Sequence, residues 1–352
     1  MARNSMRCFA TVLLVGLSSF AGCSANSSAE SGTSANRISI RGAGSTFVAP
    51  LFRKWFEQYH QEHANTSVDY RAVGSGEGTK RFLADEVDFG ASDAALTDEQ
   101  IASVPRGAIL VPVTAGIIVL AYSPEGMPEK LRLSRDAYVG IFMGKITRWD
   151  DPKIVADNPE AKLPAREIAV VARQDGSGTT FAFSNHLASV SEEWKKDFGV
   201  HTTIGWPGHV MLANGNGGVA GQVQRSIGAI GYVEFGVAKQ CGLGIATLQN
   251  KAGNFVEPTP TSGLDTLIQT KLPANLRVFM PDPEGTQSYP IVSYSWLLLY
   301  RHYDDAKTRT ALKGVVQWCL EAGQQYSESL GYLRLPPNVI ELAKDALNQI
   351  EK

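Results

Sequence analysis

The sequence predicts an α/β fold, because segments typical of strands, either apolar or with alternating apolar residues, alternate with helical segments along most of the 352 residues. Several predicted strands also end in a short turn, rich in glycine and hydroxyl side chains, that leads straight into a helix. In open α/β sheets, ligands bind just beyond the carboxyl ends of the strands. We therefore expect these turns to form one ligand site. A chain of this length also suggests two domains.

The first half of the chain holds three strand–turn–helix units followed by two further strands. The strands are predicted at residues 37–41, 68–73, 87–92, 108–113 and 116–122. The helices are predicted at residues 48–59, at 79–84 and from Thr97 onward, where Thr97 and Gln100 have the spacing of a capping box. In the first helix the apolar residues recur every three or four positions, so one face is predicted to be buried. Residues 74–78 contain three glycines and are predicted to be a loop.

The second half continues the same alternation. Strands are predicted at residues 168–171, 229–233 and 291–300, and helices at 179–187, after a cap at Ser134, after the glycine turn 214–218, from Ala306 and from Pro337. Polar turns thus lie at the ends of four strands, near Thr46, Ser75, Asp93 and Ser177. One such turn is a weak signal, but four that converge would form a real site.

Residues 173–181 have the features of an anion site. A predicted helix begins there, and the unpaired N–H groups at a helix start attract oxyanions. The donors that accompany it are the hydroxyls of Ser177 and Thr179 and the guanidinium of Arg173. Asp175 lies two positions from Arg173 and could hold the guanidinium in place. The same pattern also fits a capped strand–helix turn with a surface ion pair.

The composition is typical of a globular protein, with 43% hydrophobic and 19% charged residues. The net charge of -2 argues against a nucleic-acid partner, because no basic surplus is available to neutralise a phosphate backbone. It leaves the binding of one small anion open, since local dipoles can solvate an anion without a basic surface.

The N-terminus has the pattern of an export signal. Arg3 and Arg7 precede an apolar run, residues 9–20, that is too short for a stable membrane anchor. The small residues before Cys23 resemble a bacterial lipoprotein signal, although Phe20 stands where leucine is usual. Residues 1–22 would then be removed and Cys23 would be lipidated. The alternative is plain secretion.

Residues 23–37 are mostly small and polar and are predicted to be a flexible tether. No later segment has the unbroken apolar length of a membrane helix. Beyond the signal region, only Cys241 and Cys319 remain. They could pair in an oxidising compartment, but the sequence cannot establish a disulfide. Their spacing matches no metal site.

Several segments together resemble the motifs of the phosphate-binding proteins of bacterial ABC phosphate importers. In chain order they are residues 42–50, 74–78, 87–93, 144–151, 173–179 and 228–234. The similarity runs from about Ile38 to the C-terminus. Ser45 stands where alanine is common in the family, and Val48 where proline is common. Neither departure removes a hydrogen-bond donor from the expected site.

The resemblance implies a two-lobed type II periplasmic binding protein fold with the ligand cleft between the lobes. Lobe I would comprise residues 38–122 and 290–352, and lobe II residues 123–289. The phosphate contacts would fall on Thr46, Phe47, Ser75, Asp93, Arg173, Ser177, Gly178 and Thr179. Phe47 would contribute its backbone N–H, and Asp175 would orient Arg173.

The resemblance also implies partners and a place in the cell. The chain would be a monomer without enzymatic activity, cofactor or metal. It would work in the periplasm or at the cell surface, anchored to a membrane by its N-terminal lipid. It would close around inorganic phosphate by a hinge motion and deliver it to an ABC permease in the inner membrane.

A carboxylate beside an anion is explained if the ligand carries a proton. Hydrogen phosphate can donate a hydrogen bond to Asp93, whereas fully ionised sulfate cannot. A site built around such a bond can reject an analogue that lacks it by roughly 10⁴–10⁵-fold. Taken alone, Asp93 could equally be the cap of a following helix.

Other readings of the same residues stay open from the sequence. A phosphate-ester hydrolase could use Ser177 or Thr179 as nucleophile, but His186 lies two helical turns away, beyond hydrogen-bonding reach. His60 and His63 could share a helix face, but no third zinc ligand is visible. Residues 214–218 only partly match a dinucleotide fingerprint. A surface module for phosphate sensing or adhesion would keep the same fold.

Overall fold

A mixed β-sheet runs through the part of the chain that the computed structural model describes, residues 37–351. The strands, in chain order, are β1 (Ile38–Gly44), β2 (Thr66–Ala72), β3 (Phe89–Ser92), β4 (Ala108–Tyr122), β5 (Arg132–Leu133), β6 (Ala169–Arg173), β7 (Met211–Ala213), β8 (Ala229–Glu234), β9 (Gly244–Ile245), β10 (Thr247–Gln249), β11 (Phe255–Val256), β12 (Val292–Tyr300) and β13 (Tyr332–Leu333).

Helices connect most of these strands, as the alternation predicts. They are α1 (Ala49–Glu62), α2 (Ser75–Leu83), α3 (Asp98–Ala102), α4 (Arg135–Phe142), α5 (Pro152–Asp157), α6 (Gly178–Val190), α7 (Glu192–Asp197), α8 (Gly215–Arg225), α9 (Phe235–Gln240), α10 (Pro260–Ile268), α11 (Ala306–Leu320) and α12 (Pro337–Asn348). Two short 3₁₀ helices cover Ala322–Tyr326 and Glu328–Leu330. The predicted caps are confirmed at Thr97, which forms a capping box with Gln100, and at Ser134, which accepts from the backbone N–H of Ala137.

The strand order of the large sheet is β2-β1-β3-β12-β4-β8-β6-β7, with β13 and β9 also paired to β4. The strands β1, β2 and β3 are parallel, and so are β6, β7 and β8. The strand β12 is antiparallel to both of its neighbours, β3 and β4. The parallel strands on each side therefore point their carboxyl ends, and the turns that follow them, toward the middle of the molecule.

The strand β4 links the two groups of parallel strands. It is 15 residues long and all but its first residue are buried. Its first part pairs with β12, whereas Ile118 to Tyr122 pair with β8. The sequence prediction of two strands here is wrong. The predicted break lies between Val113 and Gly116, where the structure has a register shift opposite Ser295 and Trp296, and the strand continues through it.

Two glycine-rich turns predicted to be loops are instead the first turns of helices. The helix α2 begins at Ser75, and α8 begins at Gly215. Glycine lowers helix propensity, but here the missing side chains allow close packing. A β-carbon at Gly78 would lie 2.2 Å from the Cα of Gly44, and one at Gly76 would lie 3.0 Å from the Cα of Gly176. Tertiary packing therefore decides the start of α2.

The predicted apolar face of α1 is buried, and α11 and α12 pack on β1 and β4, respectively. The lobe boundaries at residues 122 and 290 remain a prediction. The predicted signal (1–22), almost all of the tether (23–37) and the lipidation site Cys23 lie outside the described residues. Within residues 37–351, no helix has both the length and the apolar character needed to cross a bilayer. Cys241 and Cys319 are free thiols.

Candidate functional site

The turns after β1, β3 and β6 and the start of α2 meet at one buried place. Ser75 Oγ lies 3.5 Å from Asp93 Oδ2. A β-carbon added at Gly178 would lie 2.6 Å from Ser75 Oγ and 2.7 Å from Asp93 Oδ2. Arg173 Nη1 donates to Thr179 Oγ1 at 3.4 Å, one residue after Gly178. Segments far apart in the sequence therefore share one pocket.

Thr46 joins the same pocket through Asn216. The side-chain amide of Asn216 donates to Thr46 Oγ1 at 3.1 Å and to Thr179 Oγ1 at 3.2 Å. The backbone N–H of Gly76 also donates to the carbonyl of Gly176 at 2.9 Å. These contacts connect turns on the β1 side of the sheet with turns on the β6 side. The cleft between the two sides is closed.

Asp93 is the buried acceptor of the site, with 1% of its surface exposed. Ser295 Oγ donates to its Oδ1 at 2.6 Å, and Ser45 Oγ lies 2.6 Å from its Oδ2 and 2.9 Å from its Oδ1. Burial raises the pKa of Asp93, while hydrogen bonds from Ser295 and Ser45 and the charge of Arg173 oppose the rise. Two strong donors leave lone pairs on the carboxylate unused, so Asp93 can accept a further hydrogen bond.

Arg173 supplies the positive charge, and it is also buried. Its Nε donates to Asp175 Oδ1 at 2.7 Å, and its Nη2 contacts Asp175 Oδ2. Asp175 also accepts from the backbone N–H of Gly215 at 2.9 Å. Burial alone would raise the pKa of Asp175, but the hydrogen bond and charge of Arg173 outweigh it and the pKa is lowered. Asp175 is therefore an ionised anchor that fixes the plane of the guanidinium.

The start of α6 provides backbone donors. Ser177 caps the helix, with its Oγ accepting from the N–H of Thr180 at 3.0 Å. Within residues 37–351, the N–H groups of Gly178 and Thr179 have no acceptor, as expected for the first turn of a helix. Two N–H groups and the positive end of the helix dipole therefore face the pocket.

The backbone N–H of Phe47 is not free, in contrast to the expectation that it would face the ligand. It donates to Ser45 Oγ at 3.0 Å. The Phe47 ring lies in the core, in edge contact with Tyr332. Ser45, which the sequence indicated only as a departure beside the site, thus bridges the Phe47 N–H and the carboxylate of Asp93.

Two further residues of the pocket were missed by sequence reasoning. Ser295 lies in the apolar strand β12, where nothing local indicates a role. Asn216 lies in the glycine turn of residues 214–218, for which the sequence suggests only a partial match to a dinucleotide fingerprint. It is 1% exposed, so a signal existed in the form of a polar residue flanked by glycines at a strand end. That signal did not indicate which groups it would meet.

The histidines of the zinc and hydrolase alternatives have hydrogen-bond and stacking partners outside the pocket. His60 Nδ1 is 2.8 Å from the carbonyl oxygen of Thr66, and the ring of His63 stacks on Tyr59. His186 is fully buried, with its Nε2 2.9 Å from the hydroxyl of Tyr138. In the part of the chain that the structure describes, no three His, Cys, Asp or Glu side chains are grouped to hold a metal ion.

A comparison with protein families finds one matching model, described as the PBP superfamily domain, over residues 26–322. Among curated proteins, the chain is 37% identical over 313 residues to the phosphate-binding protein PstS of Haemophilus influenzae, covering 87% of this chain and 91% of that protein. It is 33% identical over 366 residues to the phosphate-binding protein PstS of Methanocaldococcus jannaschii, covering 97% and 94%.

Solved structures show the same fold at low identity. A crystal structure of a phosphate ABC transporter substrate-binding protein from Clostridium perfringens, with bound phosphate, superposes with a TM-score of 0.63 at 20% identity. The match covers 85% of this chain and 100% of that chain. A phosphate-binding protein from Stenotrophomonas maltophilia gives a TM-score of 0.69 at 18% identity, covering 88% and 93%.

Proposed function

The chain belongs to the PBP superfamily and, within it, to the PstS family of phosphate-binding proteins, and from this we propose that it captures inorganic phosphate outside the cytoplasm and delivers it to an ABC permease. One observation carries the proposal. Hydroxyl, guanidinium and N–H donors from distant segments lie around one buried carboxylate, that of Asp93. A donor-rich pocket suits an oxyanion, and one acceptor suits an oxyanion that carries a proton.

We assign the ligand contacts to the residues that line this pocket. They are Thr46, Phe47, Ser75, Asp93, Arg173, Ser177, Gly178 and Thr179. Arg173, held by Asp175, offsets the negative charge, and the free N–H groups at the start of α6 point partial positive charge at the same oxygens. The backbone N–H of Phe47 becomes available to phosphate when Ser45 Oγ turns away from it.

Capture requires the two sides of the cleft to separate and close. The proposed lobes are residues 38–122 with 290–352, and residues 123–289. Ligand contacts to both lobes favour the closed arrangement, because a ligand shifts the equilibrium toward the state to which it binds better. The bonds from Asn216 to Thr46 and from Gly76 to Gly176 would form only on closure.

The pocket binds and does not catalyse, in this proposal. The Ser177 hydroxyl oxygen is engaged as a helix cap, and the ring of His186 is turned toward Tyr138 and the carbonyl of Pro281. Among residues 37–351, no carboxylate or imidazole is hydrogen-bonded to the hydroxyl of Ser177 or Thr179, and nucleophile activation needs a base within about 3 Å.

The cellular setting is part of the proposal. The N-terminal signal would direct export, and a lipid on Cys23 would hold the monomer at a membrane through the tether. The closed form would dock on the permease in the inner membrane. Labelling the lipid metabolically and repeating the experiment with Cys23→Ala tests the anchor, since the variant should lose both the label and the membrane association.

Calorimetric titration of the purified mature chain with phosphate tests the function. We expect one site per chain and weak or absent binding of sulfate. Absence of phosphate binding by protein freed of ligand through denaturation and refolding would overturn the proposal. Release of phosphate from ester substrates would support a hydrolase instead. A chain that binds phosphate but does not restore uptake in a deletion strain would be a sensing or adhesion module.

A further inference from the structure

Asn216 connects two hydroxyls of the pocket, those of Thr46 and Thr179. It lies in the first turn of α8 and is 1% exposed. Its Nδ2 donates to Thr46 Oγ1 and Thr179 Oγ1, and its backbone N–H donates to Thr46 Oγ1 at 3.1 Å. Its Oδ1 accepts from the backbone N–H of Glu234 at 2.9 Å. Because that N–H can only donate, the amide cannot be flipped, and the NH₂ group must face the threonines.

The position of the hydrogen on Thr46 follows from counting lone pairs. A hydroxyl oxygen has two lone pairs and one hydrogen. Both lone pairs of Thr46 Oγ1 are taken, one by the backbone and one by the side-chain N–H of Asn216. Within the described residues, the Thr46 hydroxyl has no acceptor for its own hydrogen. That hydrogen is left to donate into the cleft.

The same count holds for Thr179. Its Oγ1 accepts from Asn216 Nδ2 at 3.2 Å and from Arg173 Nη1 at 3.4 Å. No protein acceptor among residues 37–351 takes the Thr179 hydrogen. One amide group therefore turns two hydroxyls, on opposite sides of the cleft, into donors. A hydroxyl in water donates or accepts with equal ease, so this bias comes from the protein.

We infer that Asn216 is a positioning residue that makes the Thr46 and Thr179 hydroxyls present hydrogens to the ligand. The inference rests on the proposed function, since it assigns a role in binding an oxyanion at that site. It explains how a pocket whose one positively charged side chain, Arg173, is paired with Asp175 favours a ligand whose oxygens are nearly all acceptors. Preset donors do not have to be reoriented when the anion enters, so less affinity is lost in ordering them.

Two substitutions at position 216 test the inference. Asn216→Ala removes only the side-chain donors, which frees one lone pair on each threonine hydroxyl, while the backbone N–H at position 216 and Arg173 still donate to Thr46 and Thr179, respectively. We expect phosphate affinity to fall on the order of 100-fold, as for the loss of aligned hydrogen bonds to a charged ligand. Asn216→Asp keeps the shape but presents acceptors to both threonines. Their hydrogens then point at the carboxylate, and we expect a larger loss than for alanine.

A pH series on Asn216→Asp separates positioning from a structural defect. Once protonated, the new carboxyl group has one hydrogen to donate. The phosphate affinity of this variant, divided by that of the wild type at the same pH, should therefore rise as the pH falls. The ratio removes the titration of the ligand itself. A structural role alone would not produce this recovery, although the loss of a negative charge beside the anion contributes to it. If Asn216→Ala does not fold, the absence of recovery in Asn216→Asp still overturns the inference.

Asn250 provides a matched control. It is fully buried, its Nδ2 donates to the backbone carbonyls of Gly285, Thr286 and Ser288, and its Oδ1 accepts from the N–H of Asn254. Asn250→Ala should lower the melting temperature and leave the affinity within about threefold of the wild type, because no bond of Asn250 reaches the pocket.

The outcomes separate the inference from the function. Wild type that fails to bind phosphate would refute the proposed function. Wild type that binds, with Asn216→Ala within about threefold of it, would overturn the role of Asn216 alone. An equal affinity loss in Asn250→Ala, or no recovery of Asn216→Asp at low pH, would overturn it as well. Recovery in Asn216→Asp, with Asn250→Ala unaffected, supports it.

Discussion

Replacing Asp93 with asparagine should remove most of the discrimination between phosphate and sulfate. The carboxylate is 1% exposed, so water does not screen it from an anion in the pocket. Hydrogen phosphate donates to Asp93, whereas sulfate must place an oxygen against it. An asparagine amide can donate to sulfate and can still accept from phosphate through its Oδ1.

The size of the effect follows from the one hydrogen bond that sulfate lacks. Hydrogen phosphate and sulfate carry the same charge, so charge repulsion by Asp93 does not distinguish them. A site built around a buried hydrogen bond rejects an analogue without it by roughly 10⁴–10⁵-fold, which is about 6–7 kcal/mol at about 1.4 kcal/mol per tenfold. Asparagine can also donate to sulfate, so we expect the phosphate-to-sulfate affinity ratio to fall at least about 100-fold. Most of the change should be gained sulfate affinity, because the donors around the pocket are unchanged.

Calorimetric titration of both anions against wild type and Asp93→Asn measures the ratio. Asp282→Asn is the control, since Asp282 is also nearly buried but pairs with Arg135 at 2.8 Å and touches none of the proposed ligand contacts. The reasoning is refuted if Asp93→Asn keeps the wild-type ratio, or if Asp282→Asn changes it equally.

Three more substitutions give direct tests. Gly178→Ala should weaken phosphate binding roughly 10- to 100-fold, because the new β-carbon would lie 2.7 Å from Asp93 Oδ2. The control is Gly217→Ala, whose β-carbon meets nothing within 4 Å and which should bind phosphate normally. Equal phosphate affinities of the two variants would contradict this. Burial lowers the pKa of His186 to about 4. As the pH falls from about 6.5 to 4, this histidine is protonated in the unfolded chain but not in the folded one. The free energy of unfolding should therefore drop by up to about 3 kcal/mol over that range. Denaturant unfolding of His186→Gln should show a flatter slope in that window, and an unchanged slope would count against it. Burial raises the pKa of Glu234 to about 8, so stability should instead decline, by at most about 5 kcal/mol, as the pH rises from about 4.5 to 8. Glu234→Gln should remove that decline, and its persistence in the variant would show that another group causes it.

Much of the fold could be predicted from local pattern. The apolar period of α1, the caps at Thr97 and Ser134 and the strand–turn–helix order are set by neighbours in sequence. The errors arose where distant contacts decide. The sequence predicts two strands, with a break between Val113 and Gly116, but the pairing with β12 continues there through a register shift. The start of α2 depends on glycines packed against other backbone segments, which no local propensity describes.

The pocket shows the same division. The sequence motifs indicate Asp93, Arg173 and the start of α6 as parts of the site, and all three lie in the same pocket. Ser295 donates to Asp93 from 202 positions away, from a strand that the sequence indicates only as a strongly apolar one. Its role depends on where β12 enters the sheet. Ser45 was visible as a substitution, but its bridge to the Phe47 N–H depends on backbone geometry that the sequence does not describe.

The placement of β12 has a consequence for the order of folding. This strand, Val292–Tyr300, lies between β3 and β4, although those two are made long before it. Until residue 300 has been synthesised, β3 and β4 each lack β12 as a pairing partner. A sheet with such unpaired strand edges is incomplete. The sheet therefore completes only when synthesis is almost finished.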